Sequence, residues 1–330
     1  MKADNRTPGS GVVRWGILGP GGIAFRFMRH ANEAANARVV AVGSRDRSRA
    51  AEFAARFGIA NVHGSYEDLL GDPTVDGVYI ATPNSLHHPW TMKALAAGKH
   101  VLCEKPYSRT PGQVLEAFDA AEAAGLVLME GFMWRHTPQA RRFMELLPEL
   151  GDLQAIRATF AFQLDADRGA ALLLRPELDG GSLMDVGCYC VSGARLLAGA
   201  EPTRVAAEQT LAPTGVDSTL AGVLRFDSGV LATISTGFTY SHSSLEAIGG
   251  RASLLLLEPW QGEARTVRLG EREIPIAPED PYRLELENIS AAILGDAKPL
   301  LGRADALGQA RTIEALYRSA ASGAAVTLEG

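Results

Sequence analysis

The sequence predicts an α/β protein of two domains: an N-terminal doubly wound parallel sheet, then a C-terminal α/β domain built on a large, mostly antiparallel open sheet. Three observations carry this. The chain has 330 residues, 46% of them hydrophobic, more than one core usually serves. From Val13 to about Phe132 short apolar runs alternate with helix-like stretches, the signature of βαβ units. Beyond Gly131 the rhythm changes to longer runs of period-two character, which suits a sheet packed on one face and free on the other.

The first part reads, in order, as strand VRWGIL, helix GIAFRFMRHANEA, strand ARVVAV, helix DRSRAAEFAARFG, strand VDGVYIA, helix LHHPWTMKALAAG, strand KHVLCE, helix PGQVLEAFDAAEAAG and strand LVLME. Right-handed crossovers wind such a series into a sheet with helices on both faces. The second part gives LQAIRATFAFQL, STLAGVLRF, GVLATISTGFTYS and SLEAIGGRASLLLL as strand-like runs joined by short turns. It is interrupted by GGSLMDVGCYCVSGARLLAG and closed by LELENISAAILG and ALGQARTIEALYRSAASG, whose apolar spacing suits helices. The chain thus divides into a flexible tail over residues 1–11, a first domain over 12–132 and a second over 133–330.

Composition excludes several classes. Lys and Arg number 32 against 38 Asp and Glu, a net charge of −6, and no dense basic run is present to neutralise a nucleic-acid backbone or anionic lipids. Neither nucleic acid nor membrane is an expected partner. Cys103, Cys188 and Cys190 are too few for a disulfide framework and lack zinc-site spacing. His87 and His88 lack further ligands, so no metal is expected. The first eleven residues hold no apolar core of a secretory signal and no run reaches membrane-spanning length. A cytoplasmic protein is the expectation.

The first strand runs into Gly19-Pro20-Gly21-Gly22-Ile23-Ala24, and a helical pattern follows at once. This is the Gly-x-Gly-x-x-Ala form of the dinucleotide fingerprint and makes the first domain a Rossmann domain. Gly19 permits the tight turn, Gly21 lets a pyrophosphate approach the backbone, and Ala24 keeps helix and strand close. The second strand ends in Gly43-Ser44-Arg45, without the Asp or Glu that accepts from a ribose 2′-hydroxyl in NAD-selective enzymes. Ser44 can donate to a 2′-phosphate and Arg45 can pair with it, which favours NADP. Asp46 stands next in the chain and keeps NAD possible. The same residues have a structural use, with Ser44 or Asp46 capping the following helix and Arg45 solvated.

Glu104, Lys105 and Pro106 follow a strand of the parallel sheet, so they project from its carboxyl end, where ligands of open α/β folds bind. A lysine there can donate a proton to a carbonyl oxygen or stabilise an alkoxide; taken alone, such a lysine is more often a solvated charge. Asp185 and Tyr189 stand four positions apart on an expected helix and share a face. By its apolar surroundings alone, Tyr189 reads as a core residue with a satisfied hydroxyl.

The stretches GILGPGGIA, VYIATPNSLHH, AGKHVLCEKP, EGFMWRHTPQ and GGSLMDVGCY, in this order and spacing, closely resemble the glucose-fructose oxidoreductase/inositol dehydrogenase/MocA (Gfo/Idh/MocA) family, particularly its dimeric dihydrodiol dehydrogenase-like branch. The resemblance spans almost the whole chain. It implies that Lys105 is the catalytic lysine, often with a cis peptide before Pro106, that Tyr189 donates or accepts the proton, and that Asp185 orients substrate or lysine. A nearby ammonium would favour tyrosinate. It places Thr82, Pro83, Asn84, His87, Glu104 and Lys105, together with Trp134 and Arg135, at cofactor-contact positions. His88 and His136 receive no role. Relatives commonly show three glycines before the Asp-bearing helix, whereas this chain has Asp179-Gly180-Gly181 after RGAALLLRPEL; that loop approaches substrate in relatives, so a different substrate is expected.

The function this implies is an NAD(P)-dependent oxidoreductase that transfers hydride between a nicotinamide cofactor and a secondary alcohol or ketone of a sugar, polyol, inositol or dihydrodiol. By the same resemblance it would be a homodimer or homotetramer assembled through the open face of the C-terminal sheet. Two other readings stand beside it: a non-catalytic NADP-binding regulator of the same fold, and a redox-assisted glycosidase of the same family.

Overall fold

The computed structural model describes residues 11–164 and 170–328. The expected tail lies outside them except for Gly11, as does the start of RGAALLLRPEL. The chain forms two compact units.

The first unit comprises the chain up to Tyr107, Gly112–Gly131 and Tyr282–Ala306. Its strands are β1 (Val13–Leu18), β2 (Ala37–Gly43), β3 (Asn61–His63), β4 (Gly77–Ile80), β5 (His100–Glu104) and β6 (Leu128–Gly131). They pair in the order β3-β2-β1-β4-β5-β6, every pair parallel, which is the strand order of a Rossmann sheet. The strands read as apolar runs because helices cover both faces of such sheets; β4 and β6 are buried throughout. The connections hold α1 (Gly22–Met28), α2 (Arg47–Phe57), α3 (Tyr66–Leu70), α4 (His87–Ala96) and α5 (Pro111–Ala123). The order reverses at β1, and the crevice beyond the carboxyl ends at such a reversal is where these sheets take ligands.

One expectation differs from the structure. The sequence rhythm groups the helix Pro281–Leu294 with everything from residue 133 onward, yet Tyr282–Ala306 falls in the first unit. Leu286, Ile289 and Ser290 are buried. The Trp15 indole N–H donates to Ser290 Oγ at 3.0 Å, the Asn36 side-chain amide donates to the Glu287 carbonyl at 2.9 Å, and Tyr282 meets the Phe27 ring edge-on at 6.3 Å. An apolar helix face announces that it is buried, not against what.

The second unit comprises Ser108–Pro111, Phe132–Pro281 and the chain from Leu307. Its strands are β7 (Leu153–Ala161), β8 (Arg204–Leu211), β9 (Asp217–Arg225), β10 (Leu231–Gly237), β11 (His242–Gly249), β12 (Ser253–Leu257), β13 (Thr266–Leu269), β14 (Arg272–Pro275) and β15 (Val326–Thr327). They form one sheet in the order β14-β13-β12-β11-β7-β10-β9-β8-β15, antiparallel except for β7 with β10. Alternation is clean. Ile156, Ala158, Leu220, Leu224, Ala232 and Ile234 are buried on one face, while Val223, Leu231 and Leu257 are exposed. The helices α6 (Pro138–Leu146), α7 (Ala170–Leu173) and α8 (Cys188–Ala198) belong to this unit, and α8 packs on β7, β10 and β11.

Two stretches differ from their sequence reading. SLEAIGGRASLLLL is a hairpin of β11 and β12 rather than one run, closed by Gly249 N–H on the Ala252 carbonyl at 2.9 Å. The stretch expected as one helix around Asp185 is a π-helical turn, Leu183–Gly187, continued by α8. The three cysteines are all buried and in no disulfide, and burial pushes the Cys103 and Cys190 thiols well up.

Candidate active site

The residues expected to bind cofactor fall mainly at the carboxyl edge of the parallel sheet. Gly19 leaves β1 with φ at +93°, and a side chain there would meet the Ala81 carbonyl at 3.1 Å and the Tyr66 hydroxyl at 3.4 Å, so only glycine serves. Gly21 and Gly22 are different. A Cβ at either meets nothing within 4 Å, and the N-cap Gly21 offers no side-chain cap to α1. Their bareness relieves no internal crowding; it leaves the first-turn N–H groups open to a ligand from outside. A dinucleotide pyrophosphate fits that cradle. Ile23 is half-buried, and Ala24 is fully buried beneath the turn.

At the end of β2, Ser44 is buried, donates its N–H to the His63 carbonyl and accepts from Asp46 N–H at 3.2 Å. Its hydroxyl proton stays available. Asp46 caps α2, accepting from Ser48 N–H at 2.9 Å, Ser48 Oγ at 2.6 Å and Arg49 N–H at 3.4 Å. The Ser48 hydroxyl, then the Arg49 and Ser48 amides, hold its carboxyl below the usual range. The acid that left NAD possible is thus committed to the helix start. Arg45 is exposed. Burial pushes the Tyr66 phenol up while Arg45 and Arg49 oppose the shift, which puts both guanidinium charges within electrostatic reach of the hydroxyl that abuts Gly19. Neither Arg49 nor Tyr66 stands out in the sequence alone. Arg49 stands in the first turn of α2, just past the strand end that carries Arg45.

After β4, the Thr82 hydroxyl is buried without a hydrogen-bond partner among the described residues, and Pro83 and Asn84 begin a short 3-10 turn. His87 is 1% exposed, with Nδ1 at 2.9 Å from the Pro106 carbonyl and Nε2 at 2.9 Å from the Thr82 carbonyl. It ties the loop after β4 to the loop after β5. His88 joins the Tyr107 hydroxyl at 3.0 Å to Glu116 at 3.2 Å, and Tyr107 N–H donates to Glu130 at 2.7 Å. The Glu104 side chain is buried, accepting from the Tyr79 hydroxyl and, at 3.2 Å, from Lys105 N–H. Burial foremost, then the Glu104 charge, pushes the Tyr79 phenol well up, so it stays a donor. Lys105 is half-buried and the Lys105–Pro106 peptide is cis.

The other expected residues lie on the second unit. Trp134 is buried edge-on to Trp260 at 5.1 Å, its indole nitrogen without a partner among the described residues. Arg135 reaches Ser192 Oγ at 3.4 Å. His136 is buried, and burial, with the charges of Arg135 and Arg141, pushes it down to about 3. Asp185 is half-buried in the π turn; its N–H donates to the Gly181 carbonyl at 3.0 Å. Tyr189, on α8, has its ring enclosed by Phe132 at 5.4 Å, Phe160 at 5.4 Å and Trp260 at 6.0 Å. Among the described residues no cluster of three or more His, Cys, Asp or Glu is arranged to hold a metal ion. No helix among them is long and apolar enough to cross a membrane.

Residues 13–132 match the model of an oxidoreductase family with an NAD-binding Rossmann fold, and residues 148–255 match the GFO/IDH/MocA C-terminal domain. A D-xylose 1-dehydrogenase (NADP(+)) of Haloferax volcanii is 38% identical, covering 96% of this chain and 100% of its own. The chain belongs to the Gfo/Idh/MocA oxidoreductase family. A trans-1,2-dihydrobenzene-1,2-diol dehydrogenase of Mus musculus is 34% identical, covering 79% of this chain and 79% of its own. The crystal structure of a 3-ketoreductase from Actinomadura kijaniata in complex with NADP and TDP-benzene superimposes with a TM-score of 0.88 at 28% identity, covering 94% of this chain and 98% of the other.

Proposed function

We propose that this Gfo/Idh/MocA chain is an NADP-dependent oxidoreductase acting on a secondary alcohol, or its ketone, of a sugar or polyol, with cyclic dihydrodiols as the next candidates. The observation that carries this reading is Lys105 at the carboxyl edge of the same parallel sheet whose glycine turn leaves an open phosphate cradle. A bound nicotinamide would supply or accept the hydride. Gly21 and Gly22 hold the pyrophosphate, with Ile23 and Ala24 completing the turn. Ser44, Arg45 and Arg49 hold the 2′-phosphate. Thr82, Pro83, Asn84 and Glu104 hold the nicotinamide end, with Trp134 and Arg135 lining it. His87 acts as a clamp that fixes the loop carrying Lys105.

Lys105 and Tyr189 manage the proton on the substrate oxygen, with the ammonium stabilising developing negative charge. The aromatic enclosure of Tyr189 fixes its ring and keeps water from it. Asp185 orients substrate or lysine. The relative named as an NADP-dependent D-xylose 1-dehydrogenase and the 3-ketoreductase solved with NADP support the cofactor and the carbinol chemistry. A screen of aldoses, polyols, inositols and dihydrodiols with NADP and NAD, read at the reduced-nicotinamide band, tests the reading. Absence of turnover with every compound in both directions, while NADP still binds, would leave a cofactor-binding regulator in its place.

A further inference from the structure

A buried carboxylate outside the expected site governs the segment that carries Asp185 and Tyr189. Asp217 opens β9 and is 2% exposed. One of its oxygens accepts from Ser182 Oγ at 2.7 Å and from Leu183 N–H at 2.7 Å; the other accepts from the Tyr317 hydroxyl at 2.9 Å. Leu183 begins the π turn, and that turn has no capping side chain of its own. Asp217 therefore supplies, from a distant strand, the acceptor a helix start needs. The Thr236 hydroxyl holds the same junction from the other side, donating to the Ser182 carbonyl at 2.9 Å.

The residues just before the junction are shaped around this carboxylate. Gly181 has φ at +118°, and a Cβ there would lie 2.1 Å from Asp217 Oδ1 and 3.2 Å from the Tyr317 hydroxyl. Asp179 holds φ at +53°, a left-handed conformation that few side chains adopt. It pairs with Arg109 at 3.1 Å, whose guanidinium lies 5.6 Å from the centre of the Tyr317 ring. A chain Arg109, Asp179, Tyr317, Asp217, Ser182 thus runs within the second unit to the start of the turn bearing Asp185. A π turn widens the helix by one residue per hydrogen bond, so its start sets where Asp185 and Tyr189 emerge.

We propose that Asp217 is a positioning residue of the reaction: it fixes the register of the Leu183–Gly187 turn, and through it the placement of Asp185 and Tyr189. This rests on the roles given to those two residues above. Misplacing a reacting group by about 1 Å costs on the order of 100-fold in rate. Asp217→Asn keeps one acceptor oxygen but turns an amide donor toward donors already present. Turnover should fall roughly 10- to 100-fold by that geometric cost, with NADP affinity by fluorescence titration held within about twofold, because the glycine turn lies on the other unit. Gly181→Ala keeps the carboxylate and displaces it, and should give the same pattern. Ser182→Ala, which removes one donor only, should give a smaller fall. 3-Fluorotyrosine placed at residue 189 reads the register without any substrate: its fluorine resonance should shift or broaden in Asp217→Asn and Gly181→Ala. A shifted resonance in a protein inactive on all substrates would uphold the positioning and sink the oxidoreductase reading. A folded Asp217→Asn with unaltered turnover, or with an unaltered resonance, overturns the proposal.

Discussion

Selectivity for NADP should rest on two arginines rather than one. Arg45 and Arg49 are both exposed, so a phosphate can reach either guanidinium from solvent. A charge-assisted hydrogen bond contributes about 1.5–3 kcal/mol, and solvent exposure places each arginine toward the lower end of that range. At about 1.4 kcal/mol per decade, Arg45→Ala and Arg49→Ala should each weaken NADP binding roughly tenfold. The double variant should lose somewhat less than the product, because the two charges share one phosphate. NAD lacks that phosphate, so its affinity should move by less than about twofold. Isothermal titration calorimetry of both cofactors at two salt concentrations is the assay, and the NADP losses should shrink in high salt as screening grows. Tighter binding of NAD than of NADP by the unmodified protein, or an unchanged NADP affinity in both variants, would refute the reasoning. So would equal losses for the two cofactors, which would place the arginines on the adenine instead.

Lys105→Met and Tyr189→Phe should each lower turnover by ~100- to 10,000-fold with NADP affinity nearly intact, and the double variant should be little worse than the poorer single one; steady-state kinetics on the substrate the screen finds decides this. His136 is buried and pushed down to about 3, so it stays neutral in the fold while the unfolded chain protonates near 6.5. Its stabilisation is complete above that value and lost as pH falls from there toward 3, about 2 kcal/mol by pH 5. Urea unfolding at pH 7.5 and 5 should show this loss in the wild type and a smaller one in His136→Gln; parallel losses would assign the acid sensitivity elsewhere. On the free face of the second sheet, Val223 and Leu231 are exposed on adjacent strands. Light scattering should report an oligomer, and Val223→Lys with Leu231→Lys should shift it toward monomer; a wild-type monomer at micromolar concentration ends the proposal that this face assembles copies of the chain.

What the sequence made legible is what local chemistry dictates. The glycine turn stood between a strand and a helix, and the alternation of runs reported a parallel sheet whose observed order reverses at β1. The place of Lys105 at the carboxyl edge of the sheet was legible for the same reason, since a strand end fixes where the next residues project. The residues that escaped depend on partners far along the chain. Asp217 is an unremarkable acid at the head of a strand until Ser182, Leu183 and Tyr317 converge on it. His87 was placed with the cofactor contacts, but both its ring nitrogens meet backbone carbonyls, one of them 19 residues away. The π turn was hidden because its apolar spacing satisfies an α-helix as well.

The return of Tyr282–Ala306 to the first unit bears on how the molecule is born. A nascent chain released as far as residue 132 would hold all six parallel strands and still be unfinished. The Trp15 indole and the Asn36 amide would await Ser290 and Glu287, and the surface that the helix covers would stand open to water. The Phe27 ring would also lack the cover that Tyr282 gives it. The first unit can close only once residues 282–306 have been made, with eight of the nine strands of the other sheet, β7 to β14, spooled out before them. A fragment spanning residues 12–132 should accordingly be prone to aggregation, and adding the helix Pro281–Leu294 as a separate peptide should restore its solubility.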